Sequence, residues 1–339
     1  MIKRTLAVVL GAAVTLVLLE FFFQAAPVFS GLRIEQSNDA QPFIRALPHQ
    51  PYVFSHNWAM INVQRSVTNA QGFSNSEDFK PNARALVIGD SFIEAHMLAY
   101  PQTVQGVLAQ SVGGGVYAAA ASGNGLADYL QVARYYVPRL QPRNLVVFLK
   151  ESDLAGMLAR PDRGHSTFVV DGGQVQVVHE PYVESHLKQQ LARSALLRYV
   201  YYNLKARELF AKTEVGALSV KANPAAQAQA QHQRQAVLDY YFQQLQALAR
   251  THAMRVILLV DGDRKAIYAG HDGAWKTENL DSVIALARRY GFAVADTRPV
   301  FRQRWLAAHE RFDYLPEDGH WNALAHRLAA QQVLPLLAP

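Results

Sequence analysis

Two short blocks of this 339-residue chain carry side chains suited to nucleophilic chemistry. Gly89-Asp90-Ser91 follows the apolar run Ala83–Ile88, and Pro316-Glu317-Asp318-Gly319-His320-Trp321-Asn322 lies near the other end. A serine hydroxyl becomes a strong nucleophile only when a neighbouring base takes its proton, and histidine is the base suited to neutral pH. The imidazole in turn needs a carboxylate that fixes its tautomer and stabilises the imidazolium. Asp318 and His320 are two residues apart, so in extended chain both side chains lie on one side. Glu317, three before His320, serves instead if the segment makes a helical turn. The spacing favours Asp318 as the orienting acid, Ser91 as nucleophile and His320 as base.

Such residues need a scaffold that holds them together. Ala83–Ile88 reads as a buried parallel strand, followed by a helix over Glu94–Val112, a strand over Gly115–Ala118, a helix over Ala127–Leu140 and a strand over Leu145–Leu149. That alternation is the pattern of a parallel sheet with right-handed crossovers. In open sheets of this kind ligands bind beyond the carboxyl ends of the strands, which is where Ser91 falls. The rhythm then breaks. Thr167–Val178 reads as a hairpin turning at Asp171-Gly172-Gly173, Val183–Lys212 as a long amphipathic helix, and residues 213–234 as a loop or insert. It resumes with a helix over Ala236–Thr251, strands over Arg255–Val260 and Phe292–Ala295, a helix over Leu280–Tyr290, and a last helix capped by Asn322 and reaching Leu336.

With these blocks in place, the chain resembles the SGNH/GDSL superfamily of hydrolases, including exported relatives that act on O-acetyl groups of cell-envelope polysaccharides. The resemblance runs over roughly residues 65–339. It rests on Asn69-Ala70-Gln71-Gly72-Phe73, on Leu86-Val87-Ile88-Gly89-Asp90-Ser91-Phe92 and on Asp318-Gly319-His320-Trp321-Asn322. It implies a three-layer α/β/α sandwich with a mostly parallel sheet, and ester chemistry through a Ser91–His320–Asp318 set without a cofactor. It also implies an oxyanion hole in which the backbone N–H of Ser91 is joined by that of a second-block residue. Here that residue is Ala120, with Gly123 as the alternative, where the family has glycine. The third block normally presents asparagine before an aspartate; Ser152 stands there instead, before Asp153, and Asn124 is the residue that could compensate.

The remaining signals set the context. Hydrophobic residues make up 50% of the chain and charged ones 18%, enough apolar material for a packed core and too much for intrinsic disorder. With no cysteine there is no disulfide scaffold, and a formal charge of +6 without a basic run excludes a nucleic-acid arm. Lys3-Arg4 precede a charge-free stretch from Thr5 to Leu19, and the segment Leu6–Phe23 is long enough to cross a bilayer. The positive flank keeps the N-terminus in the cytoplasm, placing the body in the periplasm on a single-pass inner-membrane anchor. No clean small-x-small site precedes Pro27, so an uncleaved anchor is favoured over a signal peptide. Expected segments are therefore the anchor over 1–32, a lead-in over 33–80 packing on the domain, and the α/β/α domain over 81–339 with an insertion at about 155–234. Expected partners are an acetylated glycan and, as for acetyl-transferring relatives, a multi-pass membrane acyl-donor protein. A glycan-binding or assembly factor without catalysis on the same fold and a lipid-directed esterase or thioesterase are the rival readings. Asp90 is read as a turn carboxylate, His96 as a minor candidate for the pocket and His326 as packing or surface. Trp321 is either a pocket wall or an anchor in the core, and Tyr199–Tyr202 a helix-packing run. Asp261-Gly262-Asp263 lacks the other positions of a calcium loop.

Overall fold

Five strands follow one alternation of side chains, and it dictates the layers. In the computed structural model, which describes residues 2–206, 224–262, 264–270 and 277–338, the strands are Pro51–His56 (β1), Ile61–Val67 (β2), Ala85–Gly89 (β3), Val116–Ala120 (β4), Asn144–Leu149 (β5), Ser166–Asp171 (β6), Gln174–His179 (β7), Arg255–Val260 (β8), Ala293–Asp296 (β9), Asp313–Leu315 (β10) and Asp318–Trp321 (β11). Strands β4-β3-β5-β8-β9 form one sheet, every neighbouring pair parallel. Leu86, Ile88, Leu145, Val147, Leu258 and Val260 face one apolar cluster, while Val87, Val146, Phe148, Ile257 and Leu259 face another. A sheet buried on both faces needs near-continuous apolar strands, and these five are so composed. The first face is covered by helices Leu126–Leu140, Pro224–Thr251 and Glu278–Arg289; the second by Val104–Val112, Arg298–Ala308 and Ala323–Val333. This is the expected α/β/α sandwich.

The chain divides into two compact units. The sandwich belongs to the larger, comprising Ile34–His49, Thr68–Val183 and Ala222–Pro339. The smaller comprises Met1–Arg33, Gln50–Val67 and Glu184–Lys221, and contains the β1–β2 hairpin and the helix Ile2–Ala25, whose length and mean hydropathy of 2.5 suffice to cross a membrane. The segment 33–80, read from sequence as one lead-in, is thus shared between the units, as is the stretch read as one insertion at about 155–234.

Three local expectations need correction. The helix over Glu94–Val112 is broken: Ala95 adopts a left-handed conformation (φ 44°) that ends the turn Ser91–Glu94, a 3-10 turn follows at Tyr100–Gln102, and Thr103 caps a new helix from Val104. The Asn75 amide stabilises that break by donating to the carbonyls of Glu94 and Ala95 (2.9 and 2.8 Å). Within the described part of the helix expected over Val183–Lys212 there are short turns instead: Ser185 caps His186–Leu191, Ser194 caps Ala195–Arg198, and a π-helical turn follows at Tyr199–Asn203, while residues 207–212 lie outside the described residues. Residues 224–234 are helical, not a loop, since Pro224 stands at the first turn where its missing N–H costs nothing; the rest of that expected loop, 213–223, lies outside the described residues.

Between the helices Val104–Val112 and Ala323–Val333, the buried His326 accepts the Val104 N–H at Nδ1 (3.1 Å). Burial, reinforced by the charges of His320 and Arg264, lowers its pKa to about 3. The unfolded chain takes this proton near pH 6.5, but the native state refuses it until about pH 3, so the stability that neutral His326 contributes is lost as pH falls below 6.5. Urea denaturation in detergent at pH 7 and pH 4.5 is expected to show the wild type losing about 2–3 kcal/mol relative to His326→Leu over that interval.

Candidate active site

Ser91 opens a single helical turn, Ser91–Glu94, directly after β3. The turn is tight because Gly89 has no side chain: a Cβ there would lie 2.3 Å from Cγ1 of Ile93. Asp90 caps it, its carboxylate accepting the Phe92 N–H at 2.9 Å. The N–H of Ser91 belongs to the first turn, whose donors have no intrahelical acceptor.

His320 arrives on a hairpin. β10 and β11 pair antiparallel around Pro316-Glu317, so Asp318 and His320 lie two apart on one strand and present the same face. His320 Nε2 is 2.8 Å from Ser91 Oγ, and Nδ1 is 2.5 Å from Oδ1 of Asp318. Asp318 also accepts the backbone N–H of His320 at 3.1 Å, which locks carboxylate to ring. With Nδ1–H donated to Asp318, Nε2 is the acceptor for the serine hydroxyl, a tautomer assigned from the partners. The carboxylate on His320 is that of Asp318; Glu317 is exposed at the turn. At 30% side-chain exposure the imidazole remains open to a substrate.

No family model matches the chain and no curated protein does. Solved structures similar to it include the acetyl xylan esterase AlAXEase (13% identity, 75% of this chain and 100% of that one, TM-score 0.41). TesA is a second (15%, 75% and 98%, TM-score 0.40). A third is a catalytic mutant of Axe2, an acetylxylan esterase from Geobacillus stearothermophilus (13%, 77% and 97%, TM-score 0.39).

The other residues singled out from sequence fall as follows. Ala120 ends β4 in register with Gly89, beside the nucleophile turn. Asn124 is buried and donates its amide to the Gly89 carbonyl (3.2 Å), tying the loop after β4 to that turn. Gly123 takes a left-handed conformation (φ 88°), and a Cβ there would meet the ring of His165 at 3.0 Å. Ser152 is exposed on the first turn of the helix Glu151–Gly156. His96 contacts the hydroxyl of Ser74 (2.9 Å) and the carboxylate of Glu94 (3.1 Å). Trp321 is fully buried with its N–H on Asp261 (3.0 Å), an anchor in the core. Asp261 is raised in pKa chiefly by burial, opposed by the charge of Arg264. Asp263 lies outside the described residues. The run Tyr199–Tyr202 forms a π-helical turn in the smaller unit, where Phe23 stacks on Tyr199.

Sequence reading missed three charged residues around the site, Arg264 and Glu94 buried and Lys150 half-buried. Arg264 clamps the base hairpin, donating to the Gly319 carbonyl (2.5 Å) and pairing with Asp313 (2.9 Å) and Asp261 (3.4 Å). Glu94, on the nucleophile turn itself, accepts both the N–H and the hydroxyl of Ser122 (2.9 and 2.5 Å), so one carboxylate links the nucleophile turn to the loop after β4. Burial pushes its pKa up, but contact with His96 and the hydrogen bonds of Ser122 together outweigh that and hold it below the usual value. Lys150, first beyond β5, pairs with Asp90 and with Asp153 (2.6 Å). Burial raises Asp153 to about pH 6, opposed by Lys150 and assisted by Asp90. Lys150 and Asp261 could have been suspected from position, because each is the first residue past the carboxyl end of a strand. Removing one partner from a buried ion pair strands the other, so Lys150→Met is expected to cost about 3–5 kcal/mol by chemical denaturation, with at least half recovered in Lys150→Met/Asp153→Asn.

Proposed function

We propose that the protein is a serine-dependent carbohydrate O-acetyl esterase or O-acetyltransferase, held on the inner membrane by its first helix with the sandwich in the periplasm. The observation that carries the chemistry is the continuous hydrogen-bonded line from Ser91 Oγ through both nitrogens of His320 to Asp318. In this reading Ser91 Oγ attacks the carbonyl carbon of an acetyl ester while His320 Nε2 takes its proton. The Asp318 carboxylate balances the imidazolium that forms. The tetrahedral intermediate collapses as His320 returns the proton to the departing sugar oxygen, leaving an acetyl-serine. Water then regenerates the enzyme as acetate leaves, or a sugar hydroxyl takes the acetyl group, with His320 again as base. The backbone N–H groups of Ser91 and Ala120 would hold the oxyanion, with Asn124 and Glu94 keeping the two segments in register. The glycan class rests on the motif resemblance and on the apolar helix behind Lys3-Arg4, which supports export of the body.

The test uses full-length protein in detergent with p-nitrophenyl acetate and an acetylated oligosaccharide. Ser91→Ala and His320→Ala are each expected to lower kcat by about 10³-fold or more, and Asp318→Asn by about 10³–10⁴ through loss of the tautomer. A fluorophosphonate should label wild type and not Ser91→Ala. An unchanged rate in Ser91→Ala, or no labelling of folded wild type, would reject the reading. Release of acetate, or its appearance on an added sugar, separates hydrolysis from transfer.

A further inference from the structure

We propose that the smaller unit is a collar seated in the headgroup–acyl boundary of a bilayer, built around an N-terminal helix that is retained rather than cleaved. The proposal rests on that helix spanning the membrane and adds what its far end does. Two residues in its last two turns are structural parts of the unit. The Glu20 carboxylate accepts the Ser194 hydroxyl (2.7 Å) and the N–H groups of Ala195 (2.8 Å) and Leu196 (3.0 Å), with the Gln24 amide at 2.7 Å. It therefore completes the start of the turn Ala195–Arg198 from a distant part of the chain. Phe23, buried among its helix neighbours' exposed side chains, stacks on Tyr199 at 4.1 Å and packs with Val28 and Ala195. Cleavage near Ala25-Ala26 would remove both.

The same contacts set the depth of the unit. A 24-residue helix at about 1.5 Å per residue is about 36 Å long, against about 30 Å of hydrocarbon. Phe23 and Glu20 therefore stand at the edge of the apolar slab, and whatever touches them stands there too. The hairpin tip between β1 and β2 does: Met60 packs on the Phe23 cluster, and the Tyr199 hydroxyl donates to the carbonyl of Trp58 (2.8 Å). Trp58 is itself 71% exposed, and near it along the chain from Tyr199 lie the exposed Leu197, Val200 and Tyr201. Tryptophan and tyrosine flanked by apolar side chains suit this boundary, where one end is apolar and the other wet. A carboxylate drawn to that depth is costly unless it is hydrogen-bonded, which the Ser194 hydroxyl and the N–H groups of Ala195 and Leu196 provide for Glu20. Lipid is the occupant that continuity with the spanning helix selects.

The cysteine-free chain allows a direct test on full-length protein. Single-cysteine variants Gly11→Cys, Trp58→Cys, Leu197→Cys and Val200→Cys would carry nitroxides in phosphatidylethanolamine/phosphatidylglycerol vesicles. Collisions with dissolved oxygen and with a water-soluble nickel chelate would be measured by EPR. Labels at 58, 197 and 200 are expected to lose chelate collisions on moving from detergent to vesicles while keeping oxygen collisions, at a depth shallower than the label at 11. Chelate access unchanged at all three sites, with the label at 11 deep, overturns the collar alone. Loss of both oxygen and chelate collisions assigns the surface to a protein partner and also overturns it. A label at 11 open to chelate overturns the membrane anchor itself. Intact mass of protein from membranes is expected to include residues 1–26, and a chain beginning after Ala25 or Ala26 overturns retention. Independently, Glu20→Ala should increase proteolysis within 194–204 and leave p-nitrophenyl acetate turnover unchanged.

Discussion

One guanidinium holds His320 within reach of Ser91. The strand that carries His320 is four residues long and pairs only with a three-residue partner, too little to fix its position alone. Arg264 supplies the missing constraint by gripping the Gly319 carbonyl, between Asp318 and His320, and Asp313 on the opposite strand. Trp321 adds the apolar half of the same anchor, its ring buried against Phe148 and Phe301 and its N–H on Asp261. Asp261 accepts from Trp321 and faces Arg264, so the polar and apolar anchors meet on one carboxylate at the end of β8. The planar fork of arginine suits this task, because several fixed donors must reach carbonyl and carboxylates at once.

A second set of buried charges lies beneath the nucleophile. Asp90 both caps the turn that presents Ser91 and pairs with Lys150, so the backbone of the nucleophile is tied to the neighbouring strand. Asp153 shares that lysine and also closes the start of its own helix by accepting the Lys150 N–H at 3.0 Å. Two carboxylates with one ammonium would leave a net negative charge in a dry place. The raised pKa of Asp153 eases that imbalance, since burial favours its neutral form while Lys150 opposes the change.

The larger architecture was legible because burial on both faces leaves a strong record. Strands β3, β5 and β8 are apolar at nearly every position, and only a central parallel strand requires that. The meeting of Ser91, His320 and Asp318 was legible for a related reason: a serine after such a strand, and an Asp-x-His spacing that extended chain brings to one side. Arg264, Glu94 and Lys150 were not, because each acts through contacts between segments far apart in sequence and none has a characteristic spacing. The expected long helices failed at residues whose side chains compete with the backbone. Ser185 and Ser194 cap new turns, and the Asn75 amide takes carbonyls that a continuing helix would have used.

The position of Lys150 bears on how the site departs from the family pattern. In the third block the resemblance leads one to expect an asparagine side chain at residue 152, yet serine stands there, exposed, and the inward polar residues are its neighbours Lys150 and Asp153. Through Lys150 and Asp90, the polar groups at this strand end fix the turn that carries Ser91. On the facing side, Glu94 and Asn124 do the equivalent for the loop after β4. Contacts of this kind fix the backbone of both segments in advance, and a backbone N–H serves a developing anion only when its orientation is set before the charge forms. Buried carboxylates and one lysine thus hold the segments on either side of Ser91, while Ser152 stands in solvent.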